Sequence, residues 1–363
     1  MPDISSIFQL GLDVYHIDRL LAWSETRTKY TTTFIKVAEY VVDPLFVAQW
    51  AASDGLIDRG GYDFFRPTKD PIAAARYFVQ QFGEDLGERN PVLDLEVFDG
   101  VTNLLERAKI WIDEVYRLTG KWAIIYTNKD VLKSAGAGLK INGQWKYPWL
   151  LNHELWLAAP VYDYLPELER TRLITWVMSG LIIVARPDPP PPFQKVRWLQ
   201  WTWRGIPELV PGYDLEPYHK LAVDIDCEWF DLPQGENMPT YKGTVVTSSL
   251  YLRDAPSPSG NSVGWLEYND KVTANLIVGG WWQIKAILRG TVNIPVPTTV
   301  PNVYASGSYI RLEETIPDPP PAVSAPKLTF GNLVATDTNG TPYVVDTAIV
   351  GADQSIVIQF KAQ

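Results

Sequence analysis

The sequence predicts an α/β fold with a parallel sheet and helical crossovers, followed by a small all-β module and a β-rich tail. Three observations predict it. Short apolar runs alternate with amphipathic stretches between residues 8 and 231, short strand-like runs separated by turn residues recur after residue 241, and polar or proline-rich segments punctuate the blocks.

The strand-like runs come in order along the chain. Residues 8–15 open it, ending near Asp13, and residues 34–40 follow; Asp43-Pro44-Leu45-Phe46 then reads as a turn. Next come residues 60–66, with Tyr62, Asp63 and Arg66, and residues 91–96, Pro-Val-Leu-Asp-Leu-Glu. Residues 123–127 with Tyr126, 155–158, 198–202 with Trp201, and 222–226 with Asp224 complete the set. Between them the spacing predicts helices over 71–82, with Ile72, Ala75, Tyr77 and Phe78 on one face, and over 101–118, with Leu104, Leu105, Ala108, Ile112 and Val115.

Composition is that of a folded protein without membrane spans. Of 363 residues, 46% are apolar and 20% charged, enough for a large core and one or two smaller modules. A formal net charge of −10 argues against nucleic acid and anionic membranes as partners. Cys227 is the single cysteine, so no intramolecular disulfide framework exists; with no histidine in its neighbourhood it reads as a buried apolar residue. His16, His153 and His219 lack metal-ligand spacing, and neither a Gly-rich phosphate loop nor a Gly-x-Ser-x-Gly elbow occurs, so neither a metal nor a cofactor is expected. Met1-Pro2-Asp3-Ile4 lacks the basic and apolar regions of a secretory signal.

Residues 91–96 carry the most chemistry. Side chains alternate across a strand, so Asp94 and Glu96 point to one side with Cα atoms roughly 6.5 to 7 Å apart. Two carboxyls so placed in a partly apolar cleft ionise unequally, leaving one as a proton donor near neutral pH and the other as an anion; that division of labour suits glycosidic bond hydrolysis. The 15 Trp and 18 Tyr offer platforms for sugar rings, although surplus Trp more often fills cores.

Taken in order, these segments resemble the glycoside hydrolase family 25 muramidases, the Chalaropsis-type lysozymes. The family pattern runs from a Gly-x-Asp-Val opening through Phe-x-x-x-Lys-x-x-Glu, Asp-Pro-x-Phe, Tyr-His-Phe, Asp-x-Glu, Ile-Tyr-Thr, Trp-x-Ala and Trp-Gln-Tyr to a closing Val-Asp, and residues 8–231 follow it step by step. Departures are Asp63 for the histidine, Ala38 and Tyr40 for the small residues beside the glutamate, and Leu199 and Trp201 for the Trp and Tyr flanking Gln200. The resemblance implies an irregular β/α barrel whose last strands lack helices, with working groups at the C-terminal strand ends. It further implies a retaining hydrolase acting on the β-1,4 bond between N-acetylmuramic acid and N-acetylglucosamine of bacterial peptidoglycan. On the matching positions Glu96 becomes the general acid/base, and Asp94 the group that stabilises the oxocarbenium-like transition state or orients the attacking group. Asp13 and Asp224 complete an acidic cleft, and Tyr62, Tyr126, Trp201 and Arg66 are candidate substrate contacts. A non-catalytic glycan binder, or a structural component of a phage-like particle, is the alternative.

Residues 173–185 form an apolar run ahead of four prolines, Pro189 to Pro192; thirteen residues are too few to span a bilayer, so stable membrane insertion is not expected. A hairpin or helix covering the barrel is expected there, with the prolines as a stiff connector and a lid or dimer contact as the functional alternative. The catalytic block thus takes residues 1–232, with a linker at 233–240. Residues 250–257, 263–266 and 280–284 resemble the bacterial Src-homology-3-like family, which implies a wall-binding barrel over 241–316. Strands are expected at 243–247, 250–253, 263–266, 271–276 and 281–287. A proline-rich linker, 317–326, leads to the β-rich tail 327–363, which packs on the preceding module or pairs with another chain in an oligomer. A lysin of phage or prophage origin, released from the host cytoplasm, or a protein exported by another route, fits these features.

Overall fold

The computed structural model describes residues 8–18, 21–213, 223–230, 240–313, 334–336, 342–350 and 356–362. Residues up to 316 form one compact unit and residues 317–363 a second. Of the expected linkers, 233–239 and 317–326 lie outside the described residues, as does the N-terminal segment before Phe8.

Eight strands of the first unit close into a barrel: β1 (Phe8–Val14), β2 (Tyr30–Glu39), β3 (Asp58–Phe64), β4 (Val92–Asp94), β5 (Ile124–Asn128), β6 (Leu155–Ala158), β7 (Val196–Gly205) and β8 (Val223–Trp229). Strands β1 to β7 are parallel in sequence order, while β8 runs antiparallel to both β7 and β1. The expected parallel sheet therefore holds for seven strands. A parallel neighbour needs a crossover long enough for a helix, whereas an antiparallel one does not; the described part of the β7–β8 connection carries only a single turn at Pro207–Leu209.

Local signals set the helices. Asp70 accepts a hydrogen bond from Ala73 N at 2.8 Å and Pro71 occupies the first helical position, so Pro71–Gln80 starts where predicted. Leu104–Thr119 ends at Gly120, whose φ of 69° only glycine adopts freely. Ala75, Phe78, Leu104, Leu105, Ala108, Ile112 and Val115 are buried against the barrel, but Ile72 faces solvent. Among the described residues no helix is long and apolar enough to cross a membrane.

A separate apolar layer fills the barrel lumen: Phe34, Tyr62, Val92, Ile124, Tyr126, Trp156 and Trp198. Phe34 lies 4.4 Å from the Trp156 ring and meets Trp198 edge-on at 5.2 Å. A Cβ on Gly60 would fall 2.5 Å from the Phe34 ring, so this close approach requires glycine. These rings give the open end of the barrel a solid floor.

Residues 240–313 are all-β. Tyr241–Val245, Ser249–Arg253, Ser262–Glu267, Lys271–Val278 and Trp281–Arg289 appear near the expected positions, joined by three short strands, Val292–Ile294, Tyr304–Ser306 and Ile310–Leu312. The strand pairings in this region are antiparallel. The apolar run before the prolines is neither a hairpin nor a lid. Its first part belongs to the helix Glu167–Met178, and Ile182, Ile183 and Val184 are then wholly buried between the barrel and the all-β region. Trp229 Nε1 of β8 donates to Val184 O at 2.7 Å, while Arg186 N donates to Gly279 O at 2.7 Å and Leu312 N to Leu181 O at 2.7 Å. The run is a seam joining two parts of one unit, which accounts for apolarity without periodicity. In the second unit, Val334–Thr336, Pro342–Val350 and Ile356–Ala362 form an antiparallel three-stranded sheet.

Candidate active site

Strand alternation decides which side chains enter the lumen, and register lines them up. Along β2 the inward residues include Phe34 and Lys36, and along β3 Tyr62 and Phe64; Lys36 pairs with Tyr62, Tyr62 with Val92, Phe64 with Asp94 and Asp94 with Tyr126. Tyr126 pairs with Trp156 and Ala158 with Gln200, and the antiparallel closure sets Asp13 opposite Asp224. At the C-terminal strand ends these residues line a cavity of about 250 Å³: Asp13, Tyr15, Lys36, Tyr62, Phe64, Asp94, Glu96, Tyr126, Trp156, Gln200 and Asp224. Glu96 stands two residues past the end of β4, held there because Leu95 N donates to Tyr126 O at 2.8 Å and Leu95 O accepts from Thr127 Oγ1 at 2.6 Å.

All four predicted acids, with Tyr62 and Tyr126, thus meet in one cavity. Burial raises Asp94 well above the usual carboxylate range, and the neighbouring Glu96 adds to it, with Lys36 opposing. Burial also raises Glu96, which remains partly exposed to the cavity. Asp13 is raised well above its ordinary value by burial, then by Asp224 and Asp226, against a hydrogen bond from Gln200. Among the described residues, Asp94 Oδ1 on the cavity and Asp226 Oδ2 below it have no hydrogen-bond partner. Burying charge without pairing favours the protonated form, so the cavity holds protons at a pH where solvated carboxyls have lost them.

A polar chain spans the mouth. Tyr126 Oη donates to Gln200 Oε1 at 2.8 Å, and Gln200 Nε2 donates to Asp13 Oδ2 at 2.7 Å. Below it Trp156 Nε1 donates to Asp226 Oδ1 at 2.9 Å, so Asp226 supports the floor of the site.

Two expected contacts lie elsewhere. Trp201 follows the inward Gln200 and so points outward; it is wholly buried in the outer core, edge-on to Tyr162 at 5.9 Å. Arg66 sits beside the cavity, donating from Nε to Glu39 Oε1 at 2.9 Å, with Nη1 3.3 Å from Asp99 Oδ1. Lys36, Tyr15, Phe64, Trp156 and Gln200 were not singled out as site residues by sequence reasoning. Parity from Asp13, Phe34 and Tyr62 could have found Tyr15, Lys36 and Phe64, each two residues from an inward neighbour; Trp156 and Gln200 lie on other strands, which those three residues do not reach. Asp63, on the outer side of β3, accepts from Trp111 Nε1 at 3.0 Å, and burial raises it to about 7. Among the described residues no group of His, Cys, Asp and Glu could hold a metal ion.

The model of glycosyl hydrolases family 25 matches residues 12–170. Solved structures similar to the chain include a bacterial lysozyme from Streptomyces coelicolor, 18% identical over 61% of this chain and 92% of that one, with a TM-score of 0.44. The spore cortex lytic enzyme SleM of Clostridium perfringens is 16% identical over 77% and 92%, TM-score 0.47. The catalytic domain of endolysin ply40 from bacteriophage P40 of Listeria monocytogenes is 16% identical over 61% and 92%, TM-score 0.43. No curated protein matches the chain. The family match takes in Asp13, Asp94 and Glu96 and ends before Gln200 and Asp224, which barrel closure brings to the same cavity. Residues 12–170, with their acids at the open end of a closed eight-stranded barrel, give this chain a family 25 glycosyl hydrolase domain.

Proposed function

We propose that the chain is an N-acetylmuramidase that cuts the β-1,4 bond between N-acetylmuramic acid and N-acetylglucosamine in bacterial peptidoglycan. The observation that carries this reading is the adjacency of Glu96 and Asp94 in one cavity, both raised by burial, with the less buried Glu96 facing the space a sugar would fill. Glu96 protonates the departing glycosidic oxygen and then, as a carboxylate, takes a proton from the attacking water. Asp94, beneath it, stabilises the positive charge that develops on the sugar ring or orients the attacking group. Asp13, fixed through Gln200 to Tyr126, and Asp224 opposite it hold the sugar from the other wall. Tyr62, Tyr126, Phe64 and Trp156 supply ring faces for the saccharide.

The all-β region 241–313 is read as a wall-binding module. Tyr251 and Trp265 are opposite one another across paired strands and both exposed, which offers an aromatic surface to glycan. Release from a host cytoplasm as a lysin fits this activity. Mass spectrometry of products from defined peptidoglycan tests the whole reading. New reducing ends on muramic acid are expected; reducing ends on glucosamine, freed peptides or intact strands would refute it.

A further inference from the structure

Next to the catalytic cavity lies a second one of about 390 Å³, lined by Tyr40, Asp63, Phe64, Arg66, Lys69, Asp70, Ala73, Ala74 and Tyr77. The Phe64 ring is the partition: Lys36 Nζ approaches its centroid to 5.0 Å, and Arg66 Cζ to 4.8 Å. Glu39 joins those two cations, accepting from Lys36 Nζ at 2.7 Å and from Arg66 Nε at 2.9 Å, so both cavities share one charged frame.

Tyr40 stands at the tip of the tight reversal between Glu39 and Val41 with φ at +70°, a conformation costly for a residue with a Cβ. Tyr40 is 47% exposed, and Lys69 Nζ lies 4.6 Å from the centroid of its ring. Tyr77 Oη, on the opposite wall, accepts from Val42 N at 3.0 Å and anchors the reversal to the helix Pro71–Gln80. Lys69 is exposed, and among the described residues its ammonium has no carboxylate partner. Burial raises Asp63, at the base, to about 7, so below that pH it adds less negative charge than a solvated carboxyl would. An aromatic side chain on a strained turn, and a cation that meets that ring but no carboxylate among the described residues, stand beside the small apolar side chains of Ala73 and Ala74 and describe a site for a short chain carrying small apolar groups and a carboxylate.

We propose that this second cavity receives the short peptide borne by the muramic acid residue, with Tyr40 and Tyr77 flanking the peptide and Lys69 meeting one of its carboxylates. The proposal rests on the peptidoglycan reading and adds that the enzyme recognises the peptide as well as the sugars. Saccharide with and without peptide separates the two.

Calorimetric titration of full-length protein with a soluble muramyl-peptide disaccharide, and with the same disaccharide stripped of peptide, tests it. Lys69→Ala should weaken the peptide-bearing ligand roughly 5- to 30-fold, the range for losing one charge-assisted contact, and leave the stripped ligand unchanged. Tyr40→Gly should also weaken only the peptide-bearing ligand. Because glycine accepts the positive φ without strain, this variant should melt at the same or a higher temperature, so lost affinity cannot be lost folding. Equal weakening of both ligands, no weakening of either, or a wild-type protein that does not prefer the peptide-bearing ligand would overturn the proposal. Cleavage of stripped glycan by the wild type reports the muramidase reading independently.

Discussion

At the N-terminal end of the barrel Glu228 is wholly buried, yet Arg89 lies 3.5 Å from its carboxylate and Arg197 pairs with it as well. At the other end Asp13, Asp94, Glu96 and Asp224 share a cavity in which Lys36 is the one cation among the lining residues. The same lumen therefore treats its acids in two ways. Below, arginines oppose the effect of burial on Glu228. Above, little opposes it, and repulsion between carboxyls adds to it. On the proposed function, pairing separates an acid that holds the barrel together from acids that exchange protons with a substrate.

The largest effect should come from the upper set. Glu96→Gln keeps shape but removes the exchangeable proton, and turnover should fall by on the order of 10² to 10⁴ with the fold unchanged. Initial rates on purified peptidoglycan, with circular dichroism as the control, check this; near-normal rates would place the proton elsewhere. In the lower set, Glu228→Gln leaves Arg89 and Arg197 without their shared anion. Chemical denaturation should show a loss on the order of 2 kcal/mol, below the full value for a buried pair because both arginines retain some access to water. The rate per folded molecule should not change. If it drops as far as in Glu96→Gln, the division between the two ends fails.

A third prediction concerns pH. Asp63 has its pKa raised to about 7 in the folded state by burial. Below about pH 4 both folded and unfolded forms are protonated; between there and pH 7 the unfolded chain releases a proton that the folded chain keeps. Stability contributed by this group is therefore fully present at low pH and lost as pH rises towards 7. Asp63→Asn should flatten the fall in melting temperature across that window, and an unchanged slope would assign the titration to the upper acids, whose shifts have the same sign. The smallest effect is expected at Trp201. Trp201→Phe should cost about 1 kcal/mol of stability and leave the Michaelis constant for glycan unaltered; a raised constant would restore its reading as a sugar contact.

Much of the site could be read in the sequence because one rule, alternation along strands, governs it. The rule puts Asp94 and Glu96 on one side, and the family resemblance supplied Asp13 and Asp224 as their companions. It also explains the misreading of Trp201: its motif neighbour Gln200 is the inward residue, and two consecutive positions cannot both face the lumen. Arg66 and Glu96 each stand two residues past the end of a strand, but the hydrogen bonds of Leu95 carry the alternation on to Glu96, whereas Glu39, brought close only by the fold, draws Arg66 aside. The seam at residues 181–186 was legible as apolar but not as to what it covers, since its partners, Trp229, Gly279 and Leu312, lie about 45 to 130 positions later in the chain. Gly280 shows how close that contact is: an added Cβ would stand 2.3 Å from Val184 O.

The pairing of Asp13 with Asp224 joins the first barrel strand to the last. Asp13 is among the first residues of the domain to leave the ribosome, and its companion is among the last. Until β8 is made and threaded between β1 and β7, Gln200 has no closed barrel to sit in and Asp13 has no opposing wall. A growing chain can carry Glu96 and Asp94 for more than a hundred residues of synthesis with no finished cleft around them. Order of synthesis thus acts as a timer: the cleft is complete only once the last strand of the barrel has been made.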